Sequence, residues 1–171
     1  MGTATSLRQI GRPGDLGWVI QRHGELYASE FGWDSSFEEL VLSLVAEWRN
    51  RRSPRDLGWV AEVDGERAGC VFCFETDERV GQLRMLLVEP RFRRYGVGRE
   101  LVDTCLAHAR SAGYERLTLW TNDVLAAARG LYLRSGFTLV AREPHRSFGV
   151  DLVGETYALD LGPPDPVPRP G

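Results

Sequence analysis

The chain has 171 residues, 43% of them hydrophobic, enough for one domain whose core closes without disulfides or metals. Lysine and arginine number 21 against 24 aspartates and glutamates, and the formal net charge of -3 argues against an electrostatic grip on nucleic acid or anionic membrane. No apolar run reaches the roughly 18 residues of a membrane span and Met1 to Ser6 carries no leader pattern, so the chain reads as cytoplasmic.

Leu7 to Ile10 reads as a first strand, and Pro13-Gly14-Asp15 as a turn that leads into a helix with Asp15 as its N-cap. Leu16, Val19, Ile20, His23, Tyr27 and Phe31 recur at helical spacing until Gly32 ends the pattern. A second helix starts at Ser35 or Ser36 with Phe37, Leu40, Val41, Leu44, Val45 and Trp48 as its stripe, bounded by Arg49 to Pro54. The period then changes. Gly58 to Val63, Asp64-Gly65 and Arg67 to Glu75 read as strand, tight turn and strand, because Asp-Gly supplies the positive φ angles of a hairpin. Val80 to Val88 is a further strand, stopped at Pro90.

After Gly98, the residues Leu101, Val102, Cys105, Leu106 and Ala109 mark an amphipathic helix that ends at Gly113. Arg116 to Thr121 is a strand, Val124 to Ser135 a helix capped by Gly136, and Phe137 to Ala141 and Thr156 to Leu161 two more strands. Residues 1–161 therefore read as a single domain. Gly162 to Gly171, with five prolines, reads as a disordered tail. The order implies an α/β (α+β) fold with a largely antiparallel sheet and one parallel step.

Cys70 and Cys73 lie three apart in a strand-like run and so face opposite ways, which rules them out as a metal or redox pair. Cys105 falls on the apolar side of its helix. Three cysteines in one chain suit a reducing compartment, and no metal is expected.

The chemistry-bearing stretch runs from Leu86-Leu87-Val88, an apolar strand end, through Arg93-Arg94-Tyr95-Gly96-Val97-Gly98-Arg99 into the helix. A strand, a glycine-bearing loop and a helix N-terminus together present unpaired N–H groups and a positive dipole end, which suit a pyrophosphate. Gly96 and Gly98 let the phosphates approach the backbone and the arginines add charge. Taken alone, such a turn reads equally well as a tight connection. A dinucleotide fold is disfavoured because Leu101 stands where a third glycine belongs. Tyr132 follows Leu125 and Ala128 on the buried stripe of its helix, which by itself reads as core.

Arg93, Gly96 and Gly98 resemble the signature of the GNAT superfamily: Arg or Gln, two residues, Gly, one residue, then Gly or Ala. Leu131-Tyr132-Leu133-Arg134-Ser135-Gly136-Phe137 is similar to that family's Leu-Tyr-x-x-x-Gly-Phe segment. The resemblance covers Leu7 to Leu161. In particular, Pro13 to Phe31 and Trp120 to Leu161 resemble the acetyltransferase domain found behind winged-helix repressor domains of the MarR type, although no repressor domain is read ahead of it here.

This resemblance implies a mixed sheet of about seven strands flanked by about four helices, and an acetyl-CoA-dependent N-acetyltransferase in which an amine attacks the thioester directly. It implies that acetyl-CoA lies along Leu86, Leu87, Val88 and Arg93 to Arg99, with Asn122 and Ala128 beside its arm. A backbone N–H at Leu87 or Val88 would polarise the thioester carbonyl, and Tyr132 would donate a proton to the departing thiolate. Some relatives hold a glutamate in the strand before the loop. Here that strand reads Gln82-Leu83-Arg84-Met85-Leu86, so His23, Glu30, Glu75 or a water chain is left as the proton acceptor.

Glu30-Phe31-Gly32-Trp33 and His145-Arg146-Ser147-Phe148-Gly149 are the segments that would wall the acceptor. Their mixture of rings and polar groups suits a small cationic or amphipathic amine near Glu30, Trp33 and Phe148. Trp33 and Phe148 read equally well as plugs that seal the core. The partners expected are a small-molecule amine and neither nucleic acid nor membrane, and the resemblance leaves room for a homodimer. The alternative is a noncatalytic acyl-CoA-binding regulator.

Overall fold

The computed structural model describes residues 4–163. The chain runs β1 (Thr5–Gln9), α1 (Asp15–Phe31), α2 (Ser35–Arg51), β2 (Leu57–Val63), β3 (Glu66–Glu75), β4 (Val80–Val88), a 3-10 turn (Pro90–Phe92), α3 (Val97–Ser111), β5 (Arg116–Asn122), α4 (Ala126–Arg134), β6 (Thr138–Ser147) and β7 (Val150–Asp160). Seven strands form one sheet in the order β1-β2-β3-β4-β5-β7-β6, antiparallel throughout except for the β4–β5 step. The proposed proline-rich tail from residue 164 onward lies outside the described residues, as do residues 1–3.

Each sheet face carries its own core. On one face α3 buries Val97, Leu101, Val102, Cys105 and Ala109 against Ala61, Val71, Cys73, Leu83 and Leu117, joined by Tyr132 and Phe137. On the other, Val19 and Leu26 of α1 and Val41 and Val45 of α2 cover Cys70, Phe72, Phe74 and Leu87. The alternation of β3 explains the division: Cys70 and Cys73 enter different cores, as their spacing requires.

Three expectations need correction. The N-cap of α1 is Gly14 at φ 89, and Asp15 is instead a buried first-turn carboxylate held by Arg8, Arg67 and the N–H groups of Gly11 and Arg12. The last two strands are longer than hydrophobic patterning suggested: β6 continues past Ala141 to Ser147 and β7 begins at Val150, so His145 and Ser147 are strand residues and only Phe148-Gly149 forms the turn. Helix α4 starts at Ala126 rather than Val124.

The feature that positions the site is a divergence in the middle of the sheet. β4 pairs with β5 from Val80↔Arg116 to Leu83↔Leu119, and the pairing stops there. Beyond it β4 bulges, with Val71 of β3 facing the residues between Arg84 and Leu87, and Met85 takes φ 53. β5 instead continues alongside β7 as far as Asn122↔Gly154. A gap therefore opens between the C-terminal halves of two neighbouring strands.

Candidate active site

Two cavities, about 510 and 470 Å³, meet at this gap and share Tyr27, Leu86 and Leu125 in their walls. The first is the groove over the glycine-bearing loop. It is lined by Leu86 to Val88, by Arg93, Arg94 and Gly96 to Arg99, and across from them by Val124 to Ala128, Leu131 and Arg134 at α4. Helix α3 begins at Val97, with Gly96 as its N-cap at φ 77 and Arg94 at φ 75. The first i→i−4 bond runs from Glu100 N–H to Gly96 O at 3.0 Å, so the N–H groups of Val97, Gly98 and Arg99 have no partner within the helix. Nothing lies within 4 Å of where a Cβ on Gly96 would stand. A Cβ on Gly98 would lie 3.1 Å from Leu131 Cδ2 and 3.5 Å from Val88 Cγ2, so its absence keeps the groove open between α3 and α4. Loop, free N–H groups and arginines together fit a diphosphate-bearing cosubstrate such as acetyl-CoA.

Not every residue assigned to this groove lines it. Tyr95 is 51% exposed and rests edge-on against Phe92, away from the cavity wall. Ala128 lines the groove, but Asn122 belongs to the second cavity, where its Oδ1 accepts a hydrogen bond from His145 Nε2 at 2.7 Å. Glu30 lines the groove too, ion-paired with Arg93 at 2.8 Å.

The second cavity lies between α1–α2 and the sheet. Its walls are His23, Tyr27, Trp33 and Phe37, then Leu40, Val41 and Leu44 of α2, Gln82 to Leu86 of β4, Thr118 to Asn122 of β5, and Leu125, Tyr132 and Thr156. Tyr132 is 5% exposed and burial pushes its phenol well above the ordinary value, so the hydroxyl keeps its proton. Its hydroxyl has no hydrogen-bond partner in the protein among the described residues. His23 donates through Nδ1 to Val19 O at 2.7 Å, which leaves Nε2 as a buried, unpartnered acceptor, and desolvation pushes the imidazole down to about 4. At neutral pH His23 is uncharged.

Glu89 N–H donates to Ala68 O at 2.8 Å, so in the alternating ladder the N–H of Val88 turns away from β3 toward the gap. Of the two backbone donors considered, Val88 is the one the ladder leaves free.

Trp33 and Phe148 do come together, stacked at 4.8 Å, with Phe37 edge-on to both. The backbone of the β6–β7 turn is tied to the same corner, Asp34 N–H donating to Phe148 O at 3.0 Å. Trp33 forms one wall of the second cavity, whereas Phe148 stands behind it, outside the lining. Glu30 is not part of this group. Glu75 lies at the far end of β3, bonded to Ser53 and Arg55. The side chains that sequence reasoning missed are Tyr27 and Leu125 between the cavities, and Gln82, Arg84 and Trp120 along the sheet floor. Trp120 is 47% exposed and lies over Gly154, where a Cβ would come within 2.9 Å of the indole.

The chain belongs to the acetyltransferase (GNAT) family, whose pattern matches residues 20–137. It is 34% identical over 87 residues to the mycothiol acetyltransferase of Beutenbergia cavernae, a match covering 51% of this chain and 29% of that protein. It is 32% identical over 102 residues to the uncharacterized N-acetyltransferase YsnE of Bacillus subtilis, covering 58% of this chain and 66% of that one. The chain thus matches less than two thirds of the length of these relatives. Among solved structures, yncA of Salmonella typhimurium, determined with its cofactor acetyl-CoA, superposes with a TM-score of 0.74 at 18% identity, covering 98% of each chain. The ribosomal-protein-S18-alanine N-acetyltransferase of Escherichia coli superposes at 0.70 with 18% identity, covering 98% of this chain and 99% of that one. These likenesses show the fold. The described residues contain no helix long and apolar enough to cross a membrane and no cluster of side chains that could hold a metal ion.

Proposed function

We propose that this chain is an N-acetyltransferase that moves the acetyl group of acetyl-CoA to the primary amine of a small molecule, by direct attack in a ternary complex. One observation supports the reading: a groove over a glycine-bearing loop and helix N-terminus and a second pocket holding a buried phenol meet at a single gap between β4 and β5. Donor and acceptor entering from the two cavities would meet at Leu86 and Tyr132. The acetyltransferase-domain likeness of Pro13 to Phe31 and Trp120 to Leu161 to MarR-type fusions rests on sequence alone and adds no further function.

In this reading Arg93, Arg94, Arg99 and the first N–H groups of α3 bind the diphosphate, and Val88 N–H polarises the thioester carbonyl. Tyr132, fully protonated, donates a hydrogen bond to the sulfur as the C–S bond breaks, and any proton it passes to the thiolate is replaced by the one that the amine nitrogen releases. The amine must arrive uncharged. For an alkyl ammonium of pKa about 10, that costs about 4 kcal/mol at pH 7. Moving the proton onto His23 would cost about 8 kcal/mol, because an imidazole held at about 4 is a far weaker base. His23 is therefore a neutral part of the pocket wall and not the base, and the proton leaves through water.

The test is to mix the protein with acetyl-CoA and a panel of primary amines and to follow free thiol together with the acetylated product. Amine-dependent thiol release supports the reading. Tight acetyl-CoA binding without release for any amine would instead make the chain a noncatalytic acyl-CoA-binding regulator.

A further inference from the structure

The second cavity has an unusual charge pattern for a pocket that takes an amine. Among its lining residues no aspartate or glutamate appears, and Arg84 is the one formally charged side chain. Arg84 stands on β4 opposite Phe72, on the sheet face beneath α1 and α2, with Gln82 two positions before it and Thr118 of β5 alongside Gln82. Its guanidinium lies 5.0 Å from the centre of the Phe74 ring. Among the described residues it makes no ion pair and no side-chain hydrogen bond.

That isolation contrasts with the other partly covered arginines. Arg8 and Arg67 share Asp15, Arg22 holds Glu89, and Arg55 holds Glu75. The acidic side chain whose field reaches Arg84 is Glu47, which is half-exposed and pairs with Arg51 at 3.7 Å. Partial burial disfavours the cation, lowering the Arg84 pKa from its ordinary value, although an arginine stays charged across the physiological range. A partly desolvated guanidinium with no carboxylate bonded to it, open to a cavity, is a strong oxyanion receptor, because its donors are already stripped of some water and have no acceptor in contact.

We propose that the acceptor amine itself carries an oxyanion, a carboxylate in the first instance, and that Arg84 receives it. The substrate class is then an amino acid or a close analogue with an acidic group in place of the carboxylate, oriented with its amine toward Tyr132 and Leu86. The inference rests on the transfer reading above and narrows it. It reverses the expectation of a pocket for cationic amines, which relied on Glu30, a residue committed to Arg93 in the other cavity. A diamine or polyamine would have no carboxylate in the lining to hold its second ammonium and would meet the Arg84 charge instead. Trp120, exposed on the floor beside Asn122, is placed to contact whatever apolar part the acceptor has.

The experiment compares α- and ω-amino acids with their own carboxamides, as matched pairs, in steady-state acetylation at fixed saturating acetyl-CoA. The acid should exceed its amide by about 10- to 100-fold in kcat/KM for the best pair, as a charge-assisted bidentate contact allows. In Arg84→Gln that ratio should fall to near one, with the acetyl-CoA KM within about a factor of two of the original. Arg84→Lys should retain part of the ratio. If Arg84→Gln does not fold, the acid-to-amide ratio of the unaltered protein, together with that of Arg84→Lys, decides the matter. Turnover of amines with no preference for the acid, or a preference that survives Arg84→Gln, overturns the inference and leaves the transfer reading standing. Turnover of no amine at all overturns both.

Discussion

Replacing Gly98 by aspartate separates binding from folding more cleanly than any other change at the loop. Gly98 is the second residue of α3 and does not sit at positive φ, so the backbone accepts a side chain. An aspartate in the first turn of a helix is favourable toward the dipole and gains helix propensity over glycine, which holds stability roughly level. The steric cost is local, since the new Cβ would lie 3.1 Å from a terminal methyl of Leu131. The electrostatic cost falls on the ligand. A carboxylate about 5 Å from one diphosphate charge, at an effective dielectric of about 20, opposes binding by about 3 kcal/mol. That corresponds to roughly a 10²-fold rise in Kd before the lost space is counted. Calorimetry with acetyl-CoA on Gly98→Asp, with Gly98→Ala as the steric control, measures it. Gly98→Ala should lose far less affinity than Gly98→Asp. An unchanged acetyl-CoA Kd in folded Gly98→Asp would refute the assignment of this groove to the cosubstrate.

Tyr132→Phe keeps the ring against Phe137 and Tyr157 and deletes a hydroxyl that bonds to no protein group, so thermal stability should barely move while kcat falls by roughly 10²-fold or more. A kcat within about a factor of three of the original, with chemistry rate-limiting, would remove the proton-donor role. His23 titrates near 4 in the folded state against 6.5 unfolded, so the unfolded chain binds more protons between those values and stability is lost as pH falls through that window. From pH 7 to pH 5 this one residue should cost about 2 kcal/mol, seen in urea titrations as an acid sensitivity that His23→Leu lacks. Equal sensitivity in both proteins would contradict a neutral, buried His23.

Much of the groove proposed for acetyl-CoA was legible because it is encoded locally. Val80–Val88 ends at a proline, the glycines mark the loop, and the stripe of Leu101, Val102, Cys105 and Ala109 announces the helix that the loop opens into. The second cavity, proposed for the amine, was not, because it depends on long-range register. Nothing about Met85 signals φ 53, and the bulge that brings Arg84 and Leu86 to the β4 side of the gap follows from how β3 and β5 pair with β4. β6 escaped notice beyond Ala141 because Arg142 to His145 mixes charges with a proline, which an edge strand tolerates and an interior one does not. Glu155 hid the start of β7: a carboxylate reads as solvent-facing, yet it is 3% exposed with Arg129 and Arg142 beside it. Glu30 and Trp33 are close in sequence, and the left-handed turn at Gly32 that ends α1 still sent one to each cavity.

Tyr27, Leu86 and Leu125 border both cavities, and α1, β4 and α4 send further residues to each, but other walls belong to one cavity alone. The loop before α3 and residues Ala126 to Ala128 of α4 line the groove alone; α2 and the β5 floor line the pocket alone. Substitutions in those separate walls share no partner across the divide, so their effects on the two ligands should add rather than interact. On the proposed function, choice of amine is thereby separable from retention of the cosubstrate. A lineage can remodel Leu40, Leu44, Arg84 or Trp120 to accept a new amine while the segment from Arg93 to Arg99 stays as it is, and an engineer can do the same one wall at a time.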